Sequence, residues 1–283
     1  MERPKYLTTK PQRAKGLELY AFHVQSVIDK ERIHFTRPQA HFTREEKHGW
    51  EVQDSPLLPR RLDRFILGEE YSYHATFRSV LPEGTNLKTD IVGVLGDRKG
   101  EAIGIDLGGL GSRLFADFPK GFFAKTQGVV LFDSRSMLQC TDDTVSNHGV
   151  IVGDITTDKT RESVDRWLGG KKVDLIIERM MGGLDEIPHD LHFLQKQFSV
   201  LYDMLSEGGI MFIQVPKFAT KLASLWVDVA REESLGTIDV KQGIYHSNQY
   251  GSTVALRIHK LPGAPRELPL ISQREVRGLY KAA

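Results

Sequence analysis

Ile103-Gly-Ile-Asp-Leu-Gly-Gly-Leu-Gly-Ser112 is the stretch that decides the fold. Its apolar start suits a strand in the middle of a parallel sheet, where both faces are covered. The strand ends in an acid, Asp106, and breaks into a turn that holds Gly108, Gly109 and Gly111. Glycines there let the chain turn sharply and let a ligand approach the backbone. Open α/β sheets bind ligands at this carboxyl edge. An acid just before the glycines favours a ligand carrying an amine, an ammonium or hydroxyls. A pyrophosphate would be repelled by it.

The same pattern returns downstream. Val129-Val-Leu-Phe-Asp133, Val150-Ile-Val-Gly-Asp154 and Val173-Asp-Leu-Ile-Ile-Glu178 are further apolar runs that end in acids. A fifth run, Gly209-Ile-Met-Phe-Ile-Gln-Val215, starts from a glycine pair. Any one acid is explained as a cap on the following helix. The series predicts a row of carboxylates along one edge of a parallel sheet. Between the runs lie helical patterns. Arg161 to Leu168 turns Val164, Trp167 and Leu168 to one face and is stopped by Gly169-Gly170. From Pro188 onward Leu191, Leu194, Phe198, Leu201, Tyr202 and Leu205 recur at threes and fours. Lys221 to Ala230 turns Leu222, Leu225, Trp226 and Val229 inward. Alternation of strand and helix predicts crossover units. Ile238 to Lys260 alternates as an antiparallel hairpin, with its turn at Tyr250-Gly-Ser.

From Glu101 to Lys260 the chain resembles the class I S-adenosylmethionine-dependent methyltransferases, on the motif Asp106-Leu-Gly-Gly-Leu-Gly111 and the acids that follow. The resemblance implies a Rossmann-like, mostly parallel sheet flanked by helices and closed by an antiparallel C-terminal hairpin. It implies that Asp106, Gly108, Gly109 and Gly111 hold the methionine part of S-adenosylmethionine. It implies that Asp133 binds the ribose hydroxyls, and that Asp154, with Ile155 beside it, meets the adenine. The family's loop reads acid-x-Gly-x-Gly-x-Gly, whereas Leu110 and Ser112 stand at its second and third glycine positions here. A methyltransferase-like binding domain without catalysis is therefore a second reading. A third is an NAD(P)-dependent oxidoreductase, since Gly109-x-Gly111 opens a dinucleotide pattern. Leu114 replaces the last glycine of that pattern.

The acceptor is expected beyond the fourth run. Glu178 ends that run, and Asp185-Glu-Ile-Pro-His-Asp-Leu-His192 opens the next helix. Glu186, His189 and His192 recur every three residues and can share a helical face. Glu178 and His189 are the candidate catalytic residues, His189 as a base because imidazole titrates near neutrality. The bland alternative is an acidic cap on a solvated helix start. Neither the Asn-Pro-Pro-Tyr pattern of amino-group methyltransferases nor a strand-five lysine is present; Gln214 stands near the lysine's place. The acceptor is thus a small molecule, an RNA or a protein.

Composition bounds the rest. The chain has 283 residues, 40% of them hydrophobic, enough for one large α/β unit and a smaller addition. One cysteine, Cys140, excludes an internal disulfide and a multi-cysteine zinc site, and no metal is expected. No apolar run is long enough to span a bilayer. Met1 to Tyr20 lacks the apolar core of a secretion signal, which predicts a cytoplasmic protein. A formal charge of +1 argues against a strong whole-molecule pull on nucleic acid. The expected division is an accessory, acceptor-serving segment over 1–88, the methyltransferase-like domain over 89–261 and a tail over 262–283. Within the first segment Leu17 to Ile28 reads as a helix. Tyr71, Tyr73, Ala75, Phe77 and Ser79 alternate as a strand.

Overall fold

The computed structural model describes residues 73–109, 111–130, 147–152, 158–178, 191–215, 220–247 and 251–268. Its strands are β1 (Ala102–Leu107), β2 (Phe123–Val130), β3 (His148–Val152), β4 (Val173–Glu178), β5 (Leu205–Val215), β6 (Ile238–Ser247) and β7 (Gly251–Lys260). They form one sheet in the order β3-β2-β1-β4-β5-β7-β6. Neighbours from β3 to β5 run parallel, and β7 pairs antiparallel with both β5 and β6. The expected fold class, mostly parallel with an antiparallel C-terminal pair, is the observed one. Ser247 already pairs with Gly251, so Gly251 and Ser252 belong to β7 and not to the turn.

The helices are α1 (Tyr73–Phe77), α2 (Leu87–Leu95), α3 (Ser112–Ala116), α4 (Asp158–Leu168), α5 (Leu191–Met204) and α6 (Thr220–Glu233). Two apolar layers cover the sheet. On one face Ile103, Ile105, Leu107, Ile176 and Ile213 pack with residues of α4, α5 and α6, among them Val164, Phe198 and the fully buried Trp226. On the other, Leu175, Ile177 and Phe212 pack with Phe77 of α1, Ile91 of α2 and Phe115 of α3. Both faces of β1 and β4 are therefore buried, which is why these strands read as continuous apolar runs. Gly104 is the exception in size within β1. A Cβ there would lie 2.5 Å from the Phe115 ring, so its absence lets α3 sit close on the strand.

The alternation over Tyr71–Ser79 misleads. Tyr73, Thr76, Phe77 and Val80 are the buried residues, at the i, i+3, i+4, i+7 spacing of a helix, and the segment forms α1 followed by a tight 3-10 turn, Arg78–Val80. Asn86 then caps α2: its Oδ1 accepts from the Thr89 backbone N–H at 2.8 Å, and Thr89 Oγ1 accepts from the Asn86 N–H at 2.9 Å. Helix α2 runs through the 88/89 position at which the sequence pattern divides the chain. Buried Asp90 on α2 receives the Arg257 Nε and Nη2 donors of β7 at 2.8 and 3.0 Å, and Arg257 Nη1 bonds Asp239 of β6 at 2.6 Å. Burial would lower the Arg257 pKa. The hydrogen bond and charge of Asp90, joined by Asp239, outweigh it and hold the guanidinium above its ordinary value.

The amino edge of the sheet is closed by a second polar cluster. Asp174, at the start of β4, accepts from the Ile103 N–H at 2.8 Å and from Ser206 Oγ at 2.5 Å, and is paired with Arg98. This explains the acid inside the fourth apolar run. Opposite it, β5 carries extra residues: Val173 pairs with Leu205, whereas Leu175 pairs with Ile210. The Leu205–Gly209 stretch is thus an irregular strand start, with Gly208 at φ 75°, a region that disfavours side chains.

Candidate functional site

The site starts from the strand order. The chain leaves β1 for β2 and β3 on one side, then crosses back to β4 and β5 on the other. The carboxyl ends of β1 and β4 therefore flank the point where the winding reverses, the position at which open α/β sheets hold ligands. Leu107 is paired with Glu178 there, and Asp106 with Ile177.

Asp106 is fully buried at the end of β1. The Gly108 N–H continues the ladder, donating to the Val129 carbonyl at 2.9 Å. Gly108 and Gly111 have φ of 83° and 75°, values that suit glycine. Gly111 then precedes α3 directly. Gly109 folds over the acid: a Cβ on it would clash with the Asp106 carboxylate and lie 2.8 Å from the Tyr73 hydroxyl. Gly111 is just as confined, with Asp106 Cβ and the His148 ring each 3.2 Å from where its own Cβ would be. Asp106, Gly108, Gly109 and Gly111 thus come together in one turn, as their spacing predicts.

The residue missed in the sequence is Tyr73. Its hydroxyl donates to Asp106 Oδ2 at 2.6 Å, across 33 positions of chain. The signal was present in the helical spacing of Tyr73, Thr76, Phe77 and Val80, which places Tyr73 on the face that meets the sheet.

Glu178 lies at the carboxyl end of β4 and is 1% exposed. Strand alternation puts its side chain with Ile176 and Leu107, on the face covered by α4, α5 and α6. Asp106 is on the other face, with Gly104. The two acids share an edge but not a face. Gln214 is held by Thr253 of β7, donating to its hydroxyl at 2.9 Å. Asp133, Asp154, Ile155, Glu186 and His189 lie outside the described residues, as do Leu110 and the expected Leu17–Ile28 helix. Strand β2 begins at Phe123, six positions before the apolar run that announces it, so Asp133 lies three positions past its last described residue. Among the described residues no group of acids, histidines and cysteines could hold a metal ion, and no helix is long and apolar enough to cross a membrane.

The mostly parallel sheet in this order, closed by the antiparallel β6 and β7 and carrying an acid–glycine turn at its winding reversal, is the Rossmann-like architecture expected from the sequence. Solved structures of similar fold include an rRNA methylase from Streptococcus thermophilus, at 14% identity over 62% of this chain and 96% of that one, TM-score 0.41. The N-methyltransferase NodS from Bradyrhizobium japonicum, in complex with S-adenosyl-l-homocysteine, matches at 11% identity over 80% of this chain and 98% of that one, TM-score 0.42. A S-adenosylmethionine-dependent methyltransferase from Clostridium acetobutylicum matches at 15% identity over 62% and 91%, TM-score 0.38. At such scores and identities no residue role carries over from them. No protein-family model and no curated protein matches the chain.

Proposed function

We propose that this chain is an S-adenosylmethionine-dependent methyltransferase, working in the cytoplasm on an acceptor that is a small molecule, an RNA or a protein. The observation that carries the reading is the fully buried Asp106 carboxylate under the Gly108–Gly111 turn, beside the winding reversal. A buried carboxylate fits the ammonium of the cofactor's amino-acid end and opposes a pyrophosphate, which disfavours the dinucleotide reading.

In this proposal Asp106 and the glycine turn hold the amino-acid end, Asp133 accepts the ribose hydroxyls, and Asp154 and Ile155 take the adenine. Bound S-adenosylmethionine supplies a methyl group on a positively charged sulfur. The chain's own work is alignment: the acceptor atom must lie in line with the bond that breaks. Glu178 and His189 stand on the acceptor side, Glu178 binding it and His189 taking a proton from an acceptor that arrives protonated. The accessory segment over residues 1–88 is proposed to serve the acceptor.

Calorimetric titration with S-adenosylmethionine, S-adenosylhomocysteine and NAD tests the assignment. The first two should bind and NAD should not. Asp133→Ala should weaken binding by about 1.5–3 kcal/mol, the range for hydrogen bonds to a charged group. A folded Asp133→Ala protein with unchanged affinity sinks the ribose assignment. For the acceptor half, Glu178→Gln and His189→Ala should lower turnover far more than cofactor affinity. Equal losses in both would place these residues in cofactor binding or in the fold.

A further inference from the structure

We infer that Tyr73 is a positioning residue for the cofactor site: its hydroxyl fixes the Asp106 carboxylate beneath the glycine turn and so sets the affinity for the ligand's ammonium. The inference rests on the cofactor reading above and adds a residue from outside the sheet to it.

The contact is a built one. Tyr73 is 7% exposed and Asp106 is fully buried. Their 2.6 Å separation lies in the range of O–H···O⁻ bonds, which are roughly twice as strong as neutral ones. Three segments meet at this point. Helix α1 brings the phenol, β1 brings the acid, and Gly109 closes over both with no room for a Cβ. A bond to one carboxylate oxygen fixes the rotamer of Asp106, and so the direction its charge faces.

Packing alone does not account for the pair. Burying a carboxylate costs free energy, and an apolar pair of similar volume would hold α1 on the sheet as well or better. The charge is kept at the carboxyl edge, at the winding reversal, where a ligand cation would meet it. Tyr73 reaches the acid from the face covered by α1 and α2. Affinity for the amino-acid end of the cofactor is thereby coupled to a helix that lies upstream of the first strand.

Two ligands separate positioning from packing. S-adenosylhomocysteine carries the α-ammonium, and 5′-methylthioadenosine keeps the nucleoside without it. Tyr73→Phe removes one hydroxyl and leaves the ring in place. Calorimetry should show S-adenosylhomocysteine binding about tenfold more weakly to Tyr73→Phe, while 5′-methylthioadenosine stays within about twofold. Phe77→Leu, in the same helix but away from the acid, should lower the melting temperature and keep the ratio of the two affinities. Equal loss for both ligands in Tyr73→Phe, or loss for neither, overturns the role of Tyr73 while cofactor binding by the wild type stands. A changed ratio in Phe77→Leu overturns it as well, since packing would then suffice. Wild-type protein that binds neither ligand overturns the methyltransferase reading and this inference together.

Discussion

Asp90→Ala should destabilise the protein by about 3–5 kcal/mol, the range for breaking a buried ion pair from one side. The loss would appear as a fall in urea midpoint with little change in slope. The reason is the charge left behind. Arg257 is 4% exposed and donates twice to Asp90; its remaining partner, Asp239, is 41% exposed and takes one donor. Removing Asp90 leaves a guanidinium in the apolar layer with most of its donors unmet. The double variant Asp90→Ala with Arg257→Met should recover much of the loss, because it removes the buried charge as well as its partner. A single variant within 0.5 kcal/mol of wild type, roughly the size of an ordinary surface substitution, would show that the pair is more hydrated than its burial implies.

A chain beginning at Leu87 should fail to fold, as judged by circular dichroism and gel filtration. Tyr73, Phe77 and Val80 would be lost with the deleted segment, and all three are core residues. Phe77 is fully buried against Phe212 of β5, with ring centroids 5.4 Å apart. Burying a large apolar side chain contributes about 1.5–3 kcal/mol. Two or three such losses approach the net stability of a typical domain, about 5–15 kcal/mol. Phe77→Ala is the graded version and should cost about 3–5 kcal/mol. A Leu87 start that melts like the full chain would mean that α1 is an ornament on the sheet.

Legibility in the sequence followed burial. Strands β1 and β4, covered on both faces, appear as unbroken apolar runs, and the Val173–Glu178 run coincides with β4 end to end. Helices α4 and α6 run a few residues past their sequence patterns, because Asp158 to Thr160 and Arg231 to Glu233 extend them without adding apolar residues to the stripe. Strand β2 starts six residues before the apolar run that marks it. Phe123-Ala-Lys-Thr-Gln-Gly carries polar groups inside the sheet, where Lys125 reaches the Trp167 and Leu168 carbonyls at the end of α4 and Thr126 bonds His148. Helix α1 reads as a strand because so short a segment satisfies period two and period 3.6 nearly equally; the burial of Thr76 and Val80 decides for the helix. In the site, the acid–glycine turn was legible because the chain makes it locally. The hydroxyl that meets the acid was not, because it comes from 33 positions away. That Glu178 and Asp106 face opposite ways follows from register, which only pairing supplies.

The strand order also constrains assembly during synthesis. Strand β1 leaves the ribosome before either neighbour, pairs first with β2, and keeps its other edge open until β4 emerges about 65 residues later, an interval during which unpaired strand edges invite association. At the far side the problem is reversed. Strand β6 is made before β7 yet touches the sheet only through it. Until β7 is made, β6 therefore has no strand to pair with. Since Arg257 rides on β7, Asp90 on the upstream helix α2 has its charge met only once the last described strand of the sheet has been translated.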